Sequence, residues 1–79
     1  MKLFGYTSKD YEEMIAPTEL AEITLAATPE ELRRIANFLQ SCAEGIEKRG
    51  MQWEHEHLSD KDLLFRESPQ LIVFNSNAM

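Results

Sequence analysis

The sequence predicts an α+β domain: a small, mostly antiparallel sheet of three to four strands with one long helix packed on one face, in the order β-β-α-β-β. Three observations predict it. A capped apolar stripe of helical period runs over residues 28–50, alternating segments lie on either side of it, and the 79-residue chain is long enough for one core only. Residues 1–79 are therefore read as a single domain.

The helix announces its own start. Thr28-Pro29-Glu30-Glu31 combines an N-cap threonine, a proline at the first helical position and a glutamate three residues after the cap. Leu32, Ile35, Ala36, Leu39, Cys42, Ala43 and Ile46 then recur at three- and four-residue spacings as one stripe, widened by Phe38. Arg33, Arg34, Asn37, Gln40, Ser41, Glu44 and Lys48 fall on the other face, with Glu30–Arg34 and Glu44–Lys48 spaced for i,i+4 pairing. Lys48-Arg49-Gly50 closes the helix with bases in its last turn and a glycine able to turn left-handed.

The strands follow from period-two alternation. Over residues 19–27, Ala21, Ile23, Leu25 and Ala27 point one way while Glu22 and Thr24 point the other. Over residues 51–57, Met51, Trp53, His55 and His57 share a face opposite Gln52, Glu54 and Glu56. Leu71-Ile72-Val73-Phe74 is apolar on both sides, as in a central strand or one whose second face meets a partner. Residues 2–6 form a further short edge strand, residues 8–18 a loop or helical turn, and residues 58–69 a connection that Leu63, Leu64 and Phe65 anchor.

One helix covers one side of a sheet, so the apolar residues on the other side predict association with a second copy, as a homodimer, or with another protein. Fourteen acids against eight bases, a net charge of −6, argue against a nucleic-acid partner, because phosphate affinity comes from Lys and Arg. The charge sits at both ends: −5 over residues 1–31, +2 over 32–50 and −3 over 51–79. Asp10, Glu12, Glu13, Glu54, Glu56, Asp60 and Asp62 are thereby candidates for an acidic patch that binds a basic surface. No membrane span and no signal peptide is read, and the single Cys42 is a buried small hydrophobe, so a cytoplasmic location is expected.

The chemistry-bearing residues cluster at Trp53-Glu54-His55-Glu56-His57-Leu58-Ser59-Asp60. Two imidazoles at i and i+2 on a strand fall on one face, but zinc needs three or four protein ligands. Asp60, Asp62, Glu67 and Cys42 are the available third donors, and none is placed by the sequence. His55, His57 and Asp60 are thus weak metal candidates, and no cofactor is called for. Glu54 and Glu56 lie opposite the histidines and are poor candidates for orienting them. As a carboxylate pair they lack the pocket that general acid catalysis needs, so no catalytic residue is assigned.

The strand and capped helix of residues 20–39, followed by Trp53-Glu54-His55-Glu56-His57-Leu58 and Leu71-Ile72-Val73-Phe74-Asn75, resemble small immunity proteins of bacterial polymorphic toxin systems, in particular the immunity protein thirty-two family. The resemblance covers residues 19–75 and is most specific at His-Glu-His-Leu. It implies a non-enzymatic bacterial protein that binds and neutralises a cognate toxin, and acidity fits a basic, nuclease-like one. Trp53, Glu54, His55, Glu56, His57, Asp60 and Asp62, with Glu12 and Glu13, are the expected partner-binding residues. The alternatives are a metal-binding or regulatory domain using His55 and His57, and a purely structural homodimer.

Overall fold

The computed structural model describes residues 1–13 and 16–78, with Asp10 and Tyr11 described by backbone alone, so the Asp10 side chain lies outside the described residues. The architecture is α+β, with two separate two-stranded antiparallel sheets in place of one sheet of three to four strands. The elements are β1 (Leu3–Gly5), α1 (Ser8–Glu12), β2 (Thr18–Leu20), α2 (Pro29–Arg49), β3 (His55–His57), α3 (Leu58–Lys61) and β4 (Ile72–Phe74). Short 3-10 turns occupy Gly50–Gln52, Leu63–Phe65 and Ser76–Ala78.

Helix α2 forms as its ends dictate. The Glu31 amide donates to Thr28 Oγ1 (3.1 Å), and the Thr28 amide donates to Glu31 Oε1 (2.8 Å). This reciprocal pairing satisfies two amides that a helix start leaves without partners. At the far end Gly50 takes φ 55° and ψ −131°, a backbone state that side chains bearing Cβ avoid, and its amide donates to Ile46. Glu30 reaches Arg34 at 3.4 Å, while among the described residues Glu44 and Lys48 form no ion pair with each other.

The core is small. Ile35, Phe38 and Cys42 of α2 pack with Trp53, Leu58 and Phe65, flanked by half-buried Ile46, Leu71 and Val73. Only part of the expected helical stripe is therefore covered: Leu32, Ala36, Leu39 and Ala43 are exposed. Leu63 and Leu64 are also exposed, so Phe65 alone of that trio anchors the connection. The indole of Trp53 packs against Gly45, where an added Cβ would come within 2.5 Å of Nε1.

β3 and β4 pair with His55 opposite Phe74, Glu56 opposite Val73 and His57 opposite Ile72. The pairing runs on through the Asn75 amide to Glu54 O (2.8 Å) and the Leu58 amide to Leu71 O (2.9 Å). The expected strand over residues 51–57 is thus shortened, because the 3-10 turn after Gly50 takes up Met51 and Gln52 and Trp53 turns into the core. At the other end of the chain β2 spans only Thr18–Leu20. Residues 22–28 form no ladder, and Ile23 and Leu25 are about half exposed. Among the described residues, none before Ile35 is buried.

These features make an open molecule. Its radius of gyration is 13.3 Å, against about 11.6 Å for a compact chain of this length. Its accessible surface is 6635 Å², against about 4,900 Å² expected for its mass.

Candidate functional site

The sheet of β3 and β4 presents two faces of different character. Inward, Val73 packs on the core and the Glu56 carboxylate meets Nζ of Lys61, the last residue of α3, at 3.3 Å. Outward, His55, His57, Ile72 and Phe74 form an exposed platform, because alternation along each short strand sends these four side chains to the same side. The His55 ring stacks on Phe74 with centroids 5.5 Å apart and planes 6° from parallel. His57 meets His55 edge-on at 5.4 Å. Flat rings with exposed faces receive an arginine, a lysine or another apolar side chain.

Acids rim this platform. His55 Nδ1 lies 2.9 Å from Glu54 Oε1, and His57 Nδ1 lies 4.0 Å from Asp60 Oδ2. An ionised carboxylate can only accept, so the Glu54 contact places a proton on His55 Nδ1. This corrects the expectation that Glu54 is badly placed to orient a histidine. Glu54 precedes the strand, and its flexible side chain curls round the strand end to its neighbour's ring. Glu54 and Glu56 are engaged separately, one with His55 and one with Lys61, and make no carboxylate pair.

The other expected contact residues lie elsewhere. Trp53 is buried, 7% exposed, and does not share a face with the histidines. Asp62 accepts from Arg34 Nη1 through both carboxylate oxygens (2.9 and 3.0 Å) and from the Leu64 amide (3.1 Å), joining α2 to the connection after α3. The Arg34 guanidinium, then the Leu64 amide, hold the Asp62 carboxyl below its ordinary range. Glu12 and Glu13 are exposed on the N-terminal unit, whose described residues contribute nothing to the core. No three His, Cys, Asp or Glu among the described residues are grouped to hold a metal ion.

Two features escaped sequence reasoning. Asn75, buried with 2% exposure, donates from Nδ2 to Gly50 O (3.2 Å) and Trp53 O (3.0 Å), and accepts from the Asn77 amide at Oδ1 (3.1 Å). It clamps the end of α2 to β4; its only signal in the sequence is an amide-bearing residue just past an apolar run. A cleft of about 120 Å³ also opens between Ser41, Cys42, Arg49, Trp53, Glu56 and Lys61. It is smaller than the roughly 300 Å³ at which small-molecule pockets begin. Its groups are engaged as well: Ser41 Oγ donates to Phe38 O (2.8 Å), Lys61 is paired with Glu56, and burial pushes the Cys42 thiol up.

A shallow core under an exposed aromatic platform with an acidic rim defines a small α+β domain that offers a surface. The chain belongs to the immunity protein 32 family, whose model matches residues 22–76. That span takes in α2, both strands of the platform and Asn75, and leaves β1, α1 and β2 outside. No curated protein and no solved structure matches. Among the described residues no helix is long and apolar enough to cross a membrane.

Proposed function

We propose that the chain is a non-enzymatic bacterial immunity protein that binds and neutralises a cognate protein toxin. Membership of the immunity protein 32 family over residues 22–76 carries this reading. The outward platform of the second sheet supports it, and we take it as the contact: His55, His57, Ile72 and Phe74 at the centre, with Glu54 and Asp60 at the rim. A centre of stacked rings with charges around it is the usual anatomy of a binding hot spot. Acid at the rim, on a chain of net charge −6, selects a basic partner surface such as that of a phosphate-binding, nuclease-like toxin. Glu12 and Glu13 are a second acidic contact toward the same partner.

The toxin-like product of a neighbouring gene is the partner to test. Co-expression with this chain should restore growth, and the two purified proteins should form a complex that weakens as salt rises. Phe74→Ala should lower affinity by at least about thirtyfold, as removal of a central aromatic anchor does. Glu54→Lys with Asp60→Lys should slow association more than it speeds dissociation. A toxin that stays lethal and unbound beside the folded protein refutes the reading. Binding unchanged by all three substitutions moves the contact off this platform.

A further inference from the structure

The outward face of β3 carries both histidines of the chain, His55 and His57, one strand repeat apart. Each ring turns the same nitrogen toward a carboxylate: His55 Nδ1 lies 2.9 Å from Glu54, and His57 Nδ1 lies 4.0 Å from Asp60. The first contact holds the His55 proton on Nδ1, and the second favours the same tautomer in His57 by charge alone. Both lone pairs then sit on Nε2, and among the described residues neither Nε2 has a hydrogen-bond partner. A carboxylate behind one nitrogen with the other nitrogen free is the arrangement of metal-ligating histidines. Both side chains are open to solvent, His55 at 39% and His57 at 34%. Phe74 stacks on the His55 ring and limits its rotation, so less freedom is lost when that ring takes up a ligand.

The spacing of the rings selects the ligand. Two imidazoles on one tetrahedral zinc, with Zn–N bonds of about 2.05 Å, hold their ring centroids about 5.2 Å apart. A square-planar centre with the two rings side by side draws them in to about 4.5 Å. The observed separation is 5.4 Å. Magnesium and calcium take oxygen ligands and gain little from imidazole. Glu54, Asp60 and the net charge of −6 raise the concentration of cations at this face. Glu54 and Asp60 sit on the Nδ1 side and Cys42 is buried, so among the described residues no third donor joins the two imidazoles. A zinc ion held by two rings keeps its remaining positions open outward and exchanges more readily than one in a closed structural site.

We infer that His55 and His57 chelate a zinc ion through their Nε2 atoms on the outward face of β3, with Glu54 and Asp60 as positioning residues behind Nδ1 and water in the remaining positions. The site is built by this chain alone, so the inference does not rest on the toxin-binding reading. A chain that binds zinc and no toxin keeps the site and loses that reading.

Zinc chloride titrated into tag-free, chelator-treated protein should give saturable one-to-one binding by calorimetry, and magnesium chloride should give none. His55→Ala and His57→Ala should each weaken zinc binding at least about tenfold while keeping the far-UV circular dichroism, since both side chains are exposed. Glu54→Gln removes the charge behind His55 Nδ1 and should weaken binding about tenfold. In nitrogen NMR of the imidazoles, zinc should shift Nε2 of both rings while Nδ1 of His55 keeps its proton. The absence of saturable binding up to about 1 mM zinc overturns the inference. So does binding that survives loss of both histidines, or zinc that shifts Nδ1 in place of Nε2. An affinity indifferent to Glu54→Gln overturns the positioning role of Glu54.

Discussion

Residues 29–78 and residues 1–28 obey different rules within one chain. The first region holds every buried side chain among the described residues, a fully satisfied polar clamp at Asn75 and the Arg34–Asp62 link. The second pairs β1 with β2 and leaves Phe4, Ile23 and Leu25 between 44% and 52% exposed. The difference is one of apolar supply. Trp53, Leu58 and Phe65 converge from three parts of the chain on the face of α2 that carries Ile35, Phe38 and Cys42, and a core of that size has no second face to receive a strand. Three-residue strands without a helix behind them are marginal by themselves. Secondary structure persists where packing supports it, and residues 22–28, despite their alternation, have no such support.

Substitutions separate the regions, beginning with the largest effect. Phe38→Ala should cost about 3–5 kcal/mol, a large part of the total for so small a domain, while Leu39→Ala one position on should cost less than about 1 kcal/mol. Urea denaturation measures both. Equal costs would show that α2 has no distinct core flank. Asn75→Ala strips partners from two carbonyls and one amide and should cost roughly 2–4 kcal/mol. Gly45→Ala should destabilise by about 1–2 kcal/mol although alanine favours helix, because the new methyl drives into the Trp53 ring. A gain in melting temperature would instead mean that Trp53 moves aside at little cost.

The acid response is a finer probe of the same contrast. Asp62 has a folded-state pKa depressed below its ordinary value, chiefly by the Arg34 hydrogen bonds. Its contribution is therefore present above the ordinary aspartate range and is lost as pH falls through the depressed value. Asp62→Asn should flatten the acid limb of a stability-against-pH curve, and an unchanged slope would remove Asp62 from the account. Ile23→Ala should change stability by no more than about 0.5 kcal/mol. Amide exchange should show β1 and β2 opening far more readily than α2. Protection of residues 22–28 to the level of α2 would erase the distinction between the regions.

Much of the site was legible before the fold. Alternation put His55 and His57 on one face, and the doubly apolar 71–74 segment foretold an outward-facing apolar pair, leaving the register to choose Ile72 and Phe74 over Leu71 and Val73. The His55–Phe74 stack was not legible, because it depends on the register of a partner strand distant in sequence. Trp53 was misplaced for a related reason: alternation holds only while the chain stays extended, and the turn at Gly50–Gln52 resets it.

The sequence by itself determined α2 and its limits. Capping box, proline, periodicity and terminal glycine act within a few residues of one another, so no distant contact is needed to set them. It also determined the acidity of the chain and the pairing of both histidines on one side of a strand. Only the tertiary structure decided that the strands divide into two sheets, that half of the helix stripe stays bare, and that Arg34, Asp62 and Asn75 bind distant parts together. An apolar residue states in the sequence that it can be buried. Whether it is buried depends on how much apolar surface the rest of the chain can bring to it, and here that supply runs out at one flank of one helix.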